Sequence, residues 1–169
     1  MRIRNEAVTG AVLLLAASLL VMPTTALTVT DRAEGGLVLC LVPRRHEAFT
    51  LSFTHSMFGG DVRETYSITS DARLQRQEIT TANLAAAEYY AYTAGVSRAG
   101  ARYRLDLPAA TFDRLNVLVD AAGQHRLSSG SKSFDLLVAT GNGHQVELQA
   151  RSLSPVSYTH LTLPTNREV

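Results

Sequence analysis

Tryptophan is absent from this chain of 169 residues, and cysteine and lysine each occur once, as Cys40 and Lys132. One cysteine excludes an internal disulfide and any metal site built on a cysteine pair. Inside the apolar run 35–42 it is expected to be a small buried hydrophobe. Basic residues never cluster beyond the pair Arg44-Arg45, so the electrostatic footprint that phosphate backbones demand is missing and nucleic acid is excluded as a partner. The formal net charge of +1 falls to zero over residues 27–154, where thirteen basic and thirteen acidic residues remain. Also missing are Gly-x-Ser-x-Gly, a phosphate-cradling glycine loop and His-Glu-x-x-His. No cofactor is expected.

The two ends read differently from the middle. Arg2 and Arg4 precede an apolar stretch over 7–22, followed by Pro23 and the small residues Thr24, Thr25 and Ala26. That is the anatomy of a signal peptide over 1–26. The stretch falls short of the roughly 20 residues of a spanning helix, and an uncleaved anchor is the alternative, the one route by which the protein would meet a membrane. The expected location is therefore periplasmic or exported. At the other end, residues 155–165 (PVSYTHLTLPT) spell the translation of a transposon-type sequencing adapter, so 155–169 is read as non-native, and Tyr158 and His160 receive no functional weight. This leaves 27–154 as one domain, long enough to hold a core without metal or disulfide.

Short segments of β-branched, aromatic and aliphatic residues recur through that domain between clusters of Gly, Asp, Asn and Ser. The pattern predicts an all-β fold, a small antiparallel β-sandwich or partly open barrel of about eight strands. The expected strands are 36–42, 48–56, 62–69, 73–80, 103–107, 115–120, 134–139 and 145–151, with a shorter one at 125–128. Residues 81–92 mix helix-favouring alanines with strand-favouring tyrosines and are read as a short helix or an irregular crossover.

One hairpin can be argued by register. Phe49, Leu51 and Phe53 alternate with hydroxyl residues, as do Val62, Tyr66 and Ile68 with polar ones, and Gly59-Gly60 suits a two-residue turn. A turn there pairs Phe58 with Asp61 and, counting outward, His55 with Glu64, Phe53 with Tyr66 and Leu51 with Ile68. A His/Glu pair on a largely buried face has several uses. It serves as a satisfied structural pair, as a ligand contact together with Ser56 beside the loop tip, as half of a metal site lacking a third ligand, or as a catalytic dyad. His55, Ser56 and Glu64 are thus the candidate binding cluster, with no catalytic or metal residues assigned. Ser129 to Lys132 contains Ser-x-x-Lys, but between short strands it reads as a polar turn. His46, His125 and His144 read as exposed turn histidines. Tyr66, Tyr89, Tyr90, Tyr92 and Tyr103 read as core or interface residues, with Tyr89 or Tyr90 as a minor ligand-facing candidate.

The segment 37–41, the aromatic strand 49–54 ending in His55-Ser56, then Val62-Arg63-Glu64 and Tyr66-Ser67-Ile68, resembles the domain of unknown function 1850 family of bacterial exported proteins. The family's recurring signature is an aromatic strand ending in His-Ser, a short turn and a Glu on the return strand. Similarity continues through 115–118, 125–127, 134–137 and 146–148, covering 37–151. Family members often lie beside genes for tripartite TRAP-type transporters of the TAXI kind. The resemblance therefore implies an accessory or ligand-binding module of solute uptake, with a transporter subunit or a small organic acid as partner. Where relatives carry Gly-Ala-Gly after the fourth strand, this chain has alanines over 82–87, and the resemblance says nothing about a pocket those glycines would shape. A hydrolase using His55 and a purely structural interaction domain are the competing readings.

Overall fold

The computed structural model of the protein describes residues 24–44, 47–92 and 94–154. Most of the leader, His46 and the adapter-like tail lie outside them. The chain order is β1 (Thr24–Asp31), β2 (Leu37–Leu41), β3 (Phe49–Thr54), β4 (Asp61–Ile68), β5 (Leu74–Thr81), α1 (Leu84–Ala91), β6 (Gly95–Ala99), β7 (Arg102–Asp106), β8 (Ala110–Phe112), β9 (Leu115–Val119), β10 (Arg126–Ser129), β11 (Lys132–Asp135), α2 (Leu136–Thr140) and β12 (His144–Leu153). The strands form two antiparallel sheets, one in the order β2-β1-β12-β9, the other β11-β10-β3-β4-β5-β7-β6 with β8 also paired to β5. The sheets do not close on each other, so the fold is a sandwich rather than a barrel.

The expected count of about eight strands is too low, for identifiable reasons. β1 begins inside what reads as a cleavage region, because Thr24-Thr25-Ala26 has the small residues of a leader end and also the alternation of a strand. It pairs with β12 from Thr24↔Leu153 to Asp31↔Val146. β6 and β8 are short and poor in aliphatic residues. The strand expected over 134–139 ends at Asp135, whose carboxylate caps α2 by accepting from the Val138 N–H, with Gly141 at φ +102° closing the helix. Over 81–92 the helix wins: Asn83 Oδ1 accepts from the Ala85 and Ala86 amides at 2.9 and 3.3 Å, and the buried face of α1 is all alanine, which lets it lie close on the sheet.

The β3–β4 hairpin forms, but four residues out of the expected register. Leu51 faces Glu64, Phe53 faces Val62 and Phe49 faces Tyr66. The turn is not the two-residue Gly59-Gly60 type. Residues 55–60 make a wider loop, closed by His55 N–H to Gly60 O at 3.0 Å and Gly59 N–H to His55 O at 2.9 Å. The His55 ring supplies the reason: its Nδ1 accepts from the Met57 and Phe58 amides at 3.2 and 3.3 Å, donors that a tight turn would leave elsewhere. Gly60 (φ +79°) is needed, since a Cβ there would lie 2.8 Å from Asn83 Cβ. A shift of four is even, so each side chain keeps its expected face.

The core lies between the sheets. Leu27, Val29, Val119, Val146 and Leu148 of the small sheet meet Phe49, Leu51, Tyr66, Leu74 and Leu127 of the large one, with Phe49 and Tyr66 stacked at 5.5 Å. A second cluster, Val62, Ile79, Leu105, Ala87 and Ala91, forms where α1 covers the rest of the large sheet's inner face. Phe53 packs against both. The outer face of the large sheet is polar, an open groove of about 640 Å³ lined by residues such as Thr50, Ser52, Thr65, Arg102 and Arg126. Cys40 sits half-buried in β2, and burial pushes its thiol up.

At the far end of β1 the buried Asp31 and His144 Nδ1 meet at 2.5 Å. His144 is therefore a clasp between β1 and β12 rather than an exposed turn residue. The bond to His144, with amides at Ala33 and Glu34, holds the Asp31 carboxyl below its ordinary value. A lowered carboxyl contributes stability above its ordinary value of 3.8, and loses it as pH falls through the lower folded value. Asp31→Asn should thus melt below the parent at neutral pH, with the gap in Tm narrowing in thermal scans taken below that range. A gap independent of pH would contradict the clasp. Ala26 is fully buried, so a chain beginning at Leu27 should lose about 1–3 kcal/mol relative to one beginning at Thr24, read by urea denaturation. Equal midpoints would show Thr24–Ala26 to be dispensable.

Candidate functional site

Glu64 is set by β4 among apolar neighbours. Val62 and Tyr66 flank it along the strand, and Leu51 and Ile79 face it across β3 and β5. It therefore stands at the seam between the two hydrophobic clusters, half-buried. The Tyr66 hydroxyl donates to its Oε2 at 2.7 Å. Oε1 has no partner among the described residues and is not sealed from solvent. Burial pushes the Glu64 carboxyl up, opposed by the Tyr66 hydrogen bond and the charge of Arg76. Burial and the Glu64 charge push the Tyr66 phenol far above its usual range, and the same two causes raise Tyr90.

Arg76 reaches the inner face through an irregularity in β5. Thr65 pairs with Glu78 and Tyr66 with Arg76, leaving Gln77 as an extra residue, a β-bulge that re-aims the strand. Its guanidinium donates to Pro108 O at 2.9 Å and lies 5.9 Å from the centre of the Phe112 ring, so it influences Glu64 without forming an ion pair with it.

His55 is buried beyond the end of β3 in a nest of rings: Phe58 at 5.1 Å, with Tyr90 at 5.3 Å and Tyr89 at 5.4 Å, both edge-on. Because Nδ1 accepts from two amides, the neutral ring carries its hydrogen on Nε2. Nε2 has no partner among the described residues, and it too is not sealed. Asn83 Nδ2 donates to Phe58 O at 2.8 Å and ties the loop to the start of α1.

Of the three predicted site residues, the structure keeps His55 and Glu64 on one side of the sheet but not side by side. The four-residue register shift puts Leu51 opposite Glu64, and Tyr90 connects the pair, touching the His55 ring and feeling the Glu64 charge. Ser56 lies exposed on the loop, its side chain without a hydrogen bond among the described residues. Tyr66 and Arg76 escaped sequence reasoning. Tyr66 shares Glu64's face at a spacing of two, a signal that was present, but no sequence pattern marks the bulge that turns Arg76 inward.

His125, expected in an exposed turn, is buried against Phe53 at 5.5 Å. Its Nδ1 is sealed without a partner among the described residues, and burial holds the imidazole below its usual value against the pull of Asp120. The reason is that β10 extends β3's pairing: Thr54 N–H bonds to Gly123 O and Leu136 N–H to His125 O, drawing the segment inward. Ser129 and Lys132 pair across a turn at Gly130 and make no nucleophile site. Among the described residues, no three His, Cys, Asp or Glu side chains gather to hold a metal. A wide hollow of about 780 Å³, lined by Arg44, Glu47, Ile68 and Gln75 among others, opens by the other end of β4, away from this constellation.

Fold and site together define an antiparallel two-sheet β protein in which a helix completes the cover of the larger sheet and a half-buried carboxylate lies at the junction. A family model described as Domain of unknown function (DUF1850) matches residues 49–136, and the chain belongs to that family. The matched segment runs from the start of β3 into α2 and contains His55, Ser56 and Glu64, while β1, β2 and β12 fall outside it. No curated protein and no solved structure matches the chain.

A carboxyl raised by burial opposes folding when ionised and not when protonated. Glu64→Gln should therefore melt a few degrees above the parent at neutral pH. The gain should fade as pH falls through the raised folded value toward glutamate's ordinary 4.5 and below. A Gln variant that melts lower at neutral pH would mean that the charge stabilises the fold.

Proposed function

We propose that this domain is an exported ligand-binding module that serves a periplasmic solute-uptake transporter and holds a small solute at Glu64. One observation carries the reading: a carboxylate half-buried between two hydrophobic clusters keeps one oxygen without a partner among the described residues. Such a group is costly for stability, and packing alone would be better served by an apolar side chain. The hydroxyl of Tyr90 and the Nε2 of His55 are likewise uncommitted, so donors and an acceptor stand at one seam with aromatic walls, the usual composition of a small-molecule site. The leader-like residues that precede Thr24, where β1 begins, and the transporter genes beside family members support the export and uptake parts of the proposal.

Two other readings fare differently. A hydrolase based on His55 has little support, because Nδ1 is engaged by the loop amides and neither adjacent hydroxyl, Thr54 or Ser56, forms a hydrogen bond with the ring. An interaction domain that docks a transporter subunit is favoured by one observation: Met57, Phe58, Leu84 and Tyr89 are exposed where loop 55–60 meets α1.

Thermal denaturation of the protein against amino acids, organic acids and sugars tests the first reading. A solute at a hundredfold excess over its Kd should add about 2.7 kcal/mol to stability, and the shift should vanish in Glu64→Gln but persist in Met57→Ser. A full shift in Glu64→Gln would remove the site from Glu64. A protein with no response to the panel, whose transporter partner is lost in Met57→Ser, would establish the docking reading instead.

A further inference from the structure

We infer that the ligand held at Glu64 presents a protonated amine to the carboxylate, an inference that rests on the binding reading above. The Tyr66 hydrogen is committed to Oε2. Arg76 donates to Pro108 O and sits over Phe112, and it forms no ion pair with Glu64. His55 Nδ1 is occupied by the Met57 and Phe58 amides. What remains at the centre is Oε1, which in the ionised state only accepts, bears charge and has no paired cation among the described residues.

The occupant must donate, and its charge decides between candidates. A carboxylate ligand would meet like charge in surroundings that Leu51, Val62 and Ile79 make poorly polarisable, where repulsion is screened less than in water. A neutral hydroxyl would satisfy Oε1 and leave the charge opposed only by Arg76, which forms no ion pair with it. An ammonium does both, through a charge-assisted hydrogen bond of about twice the strength of a neutral one. Tyr90, which packs against the cluster containing Val62 and Ile79 and feels the Glu64 charge, adds an aromatic ring, and such rings attract cations. The small organic acid implied by family resemblance is the opposite choice of charge.

Binding of a cation favours the ionised carboxylate, so it displaces the Glu64 proton wherever the free protein still holds one. Amine affinity should then rise with pH across the Glu64 titration and level off above it. An alcohol of the same shape should show no such rise.

Isothermal titration of the full chain with phenethylamine, 2-phenylethanol and 3-phenylpropanoate, at pH 5 and pH 7.5, separates these possibilities. The inference expects the amine to bind at least about tenfold more tightly than the alcohol, the acid not to bind, and amine affinity to be greater at the higher pH. It further expects Glu64→Gln, which keeps shape and folding, to abolish the preference for amine. If the acid or the alcohol binds as well as the amine and loses affinity in Glu64→Gln, the binding reading stands and the amine inference is overturned. If none of the three binds, or if amine binding is unchanged in Glu64→Gln, the site itself is misassigned and both fail.

Discussion

A four-stranded sheet cannot cover the inner face of an eight-stranded one. The small sheet β2-β1-β12-β9 seals the half built from β3, β10 and the distal parts of β4 and β5, and the other half would leave Val62, Ile79 and Leu105 in water. α1 solves this by laying alanines over that remainder. Two covers of different kind must meet somewhere, and they meet along β4, where Val62 belongs to the helix-covered cluster and Tyr66 to the sandwich core. Glu64 lies between them. Position, burial and incomplete satisfaction of that carboxylate all follow from how the large sheet is covered.

The loop 55–60 depends on the same arrangement. His55 closes it from within by accepting two amides, and the rings of Phe58, Tyr89 and Tyr90 close it against α1. Asn83 serves both elements, capping α1 with its oxygen and holding the loop at Phe58 with its nitrogen. Loop and helix therefore act as one cover, and a change at Asn83 or Gly60 would be felt at the seam as well as locally. The Asp31–His144 clasp fastens β1 to β12 as a separate device.

Alternation of side chains made much of this legible in advance. The all-β class, the hairpin β3–β4 and the inward faces of Phe49, Leu51, Phe53 and Tyr66 follow from period-two patterning, which a register shift of four cannot disturb. The register itself was not legible, because Gly59-Gly60 is compatible with both a two-residue turn and a wider loop, and the choice fell to a side chain, His55, bonding its own loop. Three elements were hidden by ambiguous chemistry: Thr24-Thr25-Ala26 suits a leader end or a strand, Asp135 suits a strand end or a helix cap, and β6 has only Val96 as a strong strand former. At the candidate site, His55 and Glu64 were singled out through a hairpin register that the structure shifts by four, Tyr66 was visible but read as core, and Arg76 was hidden by a bulge. His125 was misread because a histidine beside a glycine turn gives no hint that its strand continues inward.

The most direct test of this account is the titration of the Glu64 carboxyl itself, followed by carbon-detected NMR of its side chain with the assignment secured in Glu64→Gln. A half-buried carboxylate at the seam, bonded by one phenol and with no other partner among the described residues, should show a midpoint above glutamate's ordinary 4.5. A midpoint at or below that value would mean that Glu64 is solvated or fully paired, and the seam would lose its claim to be a site.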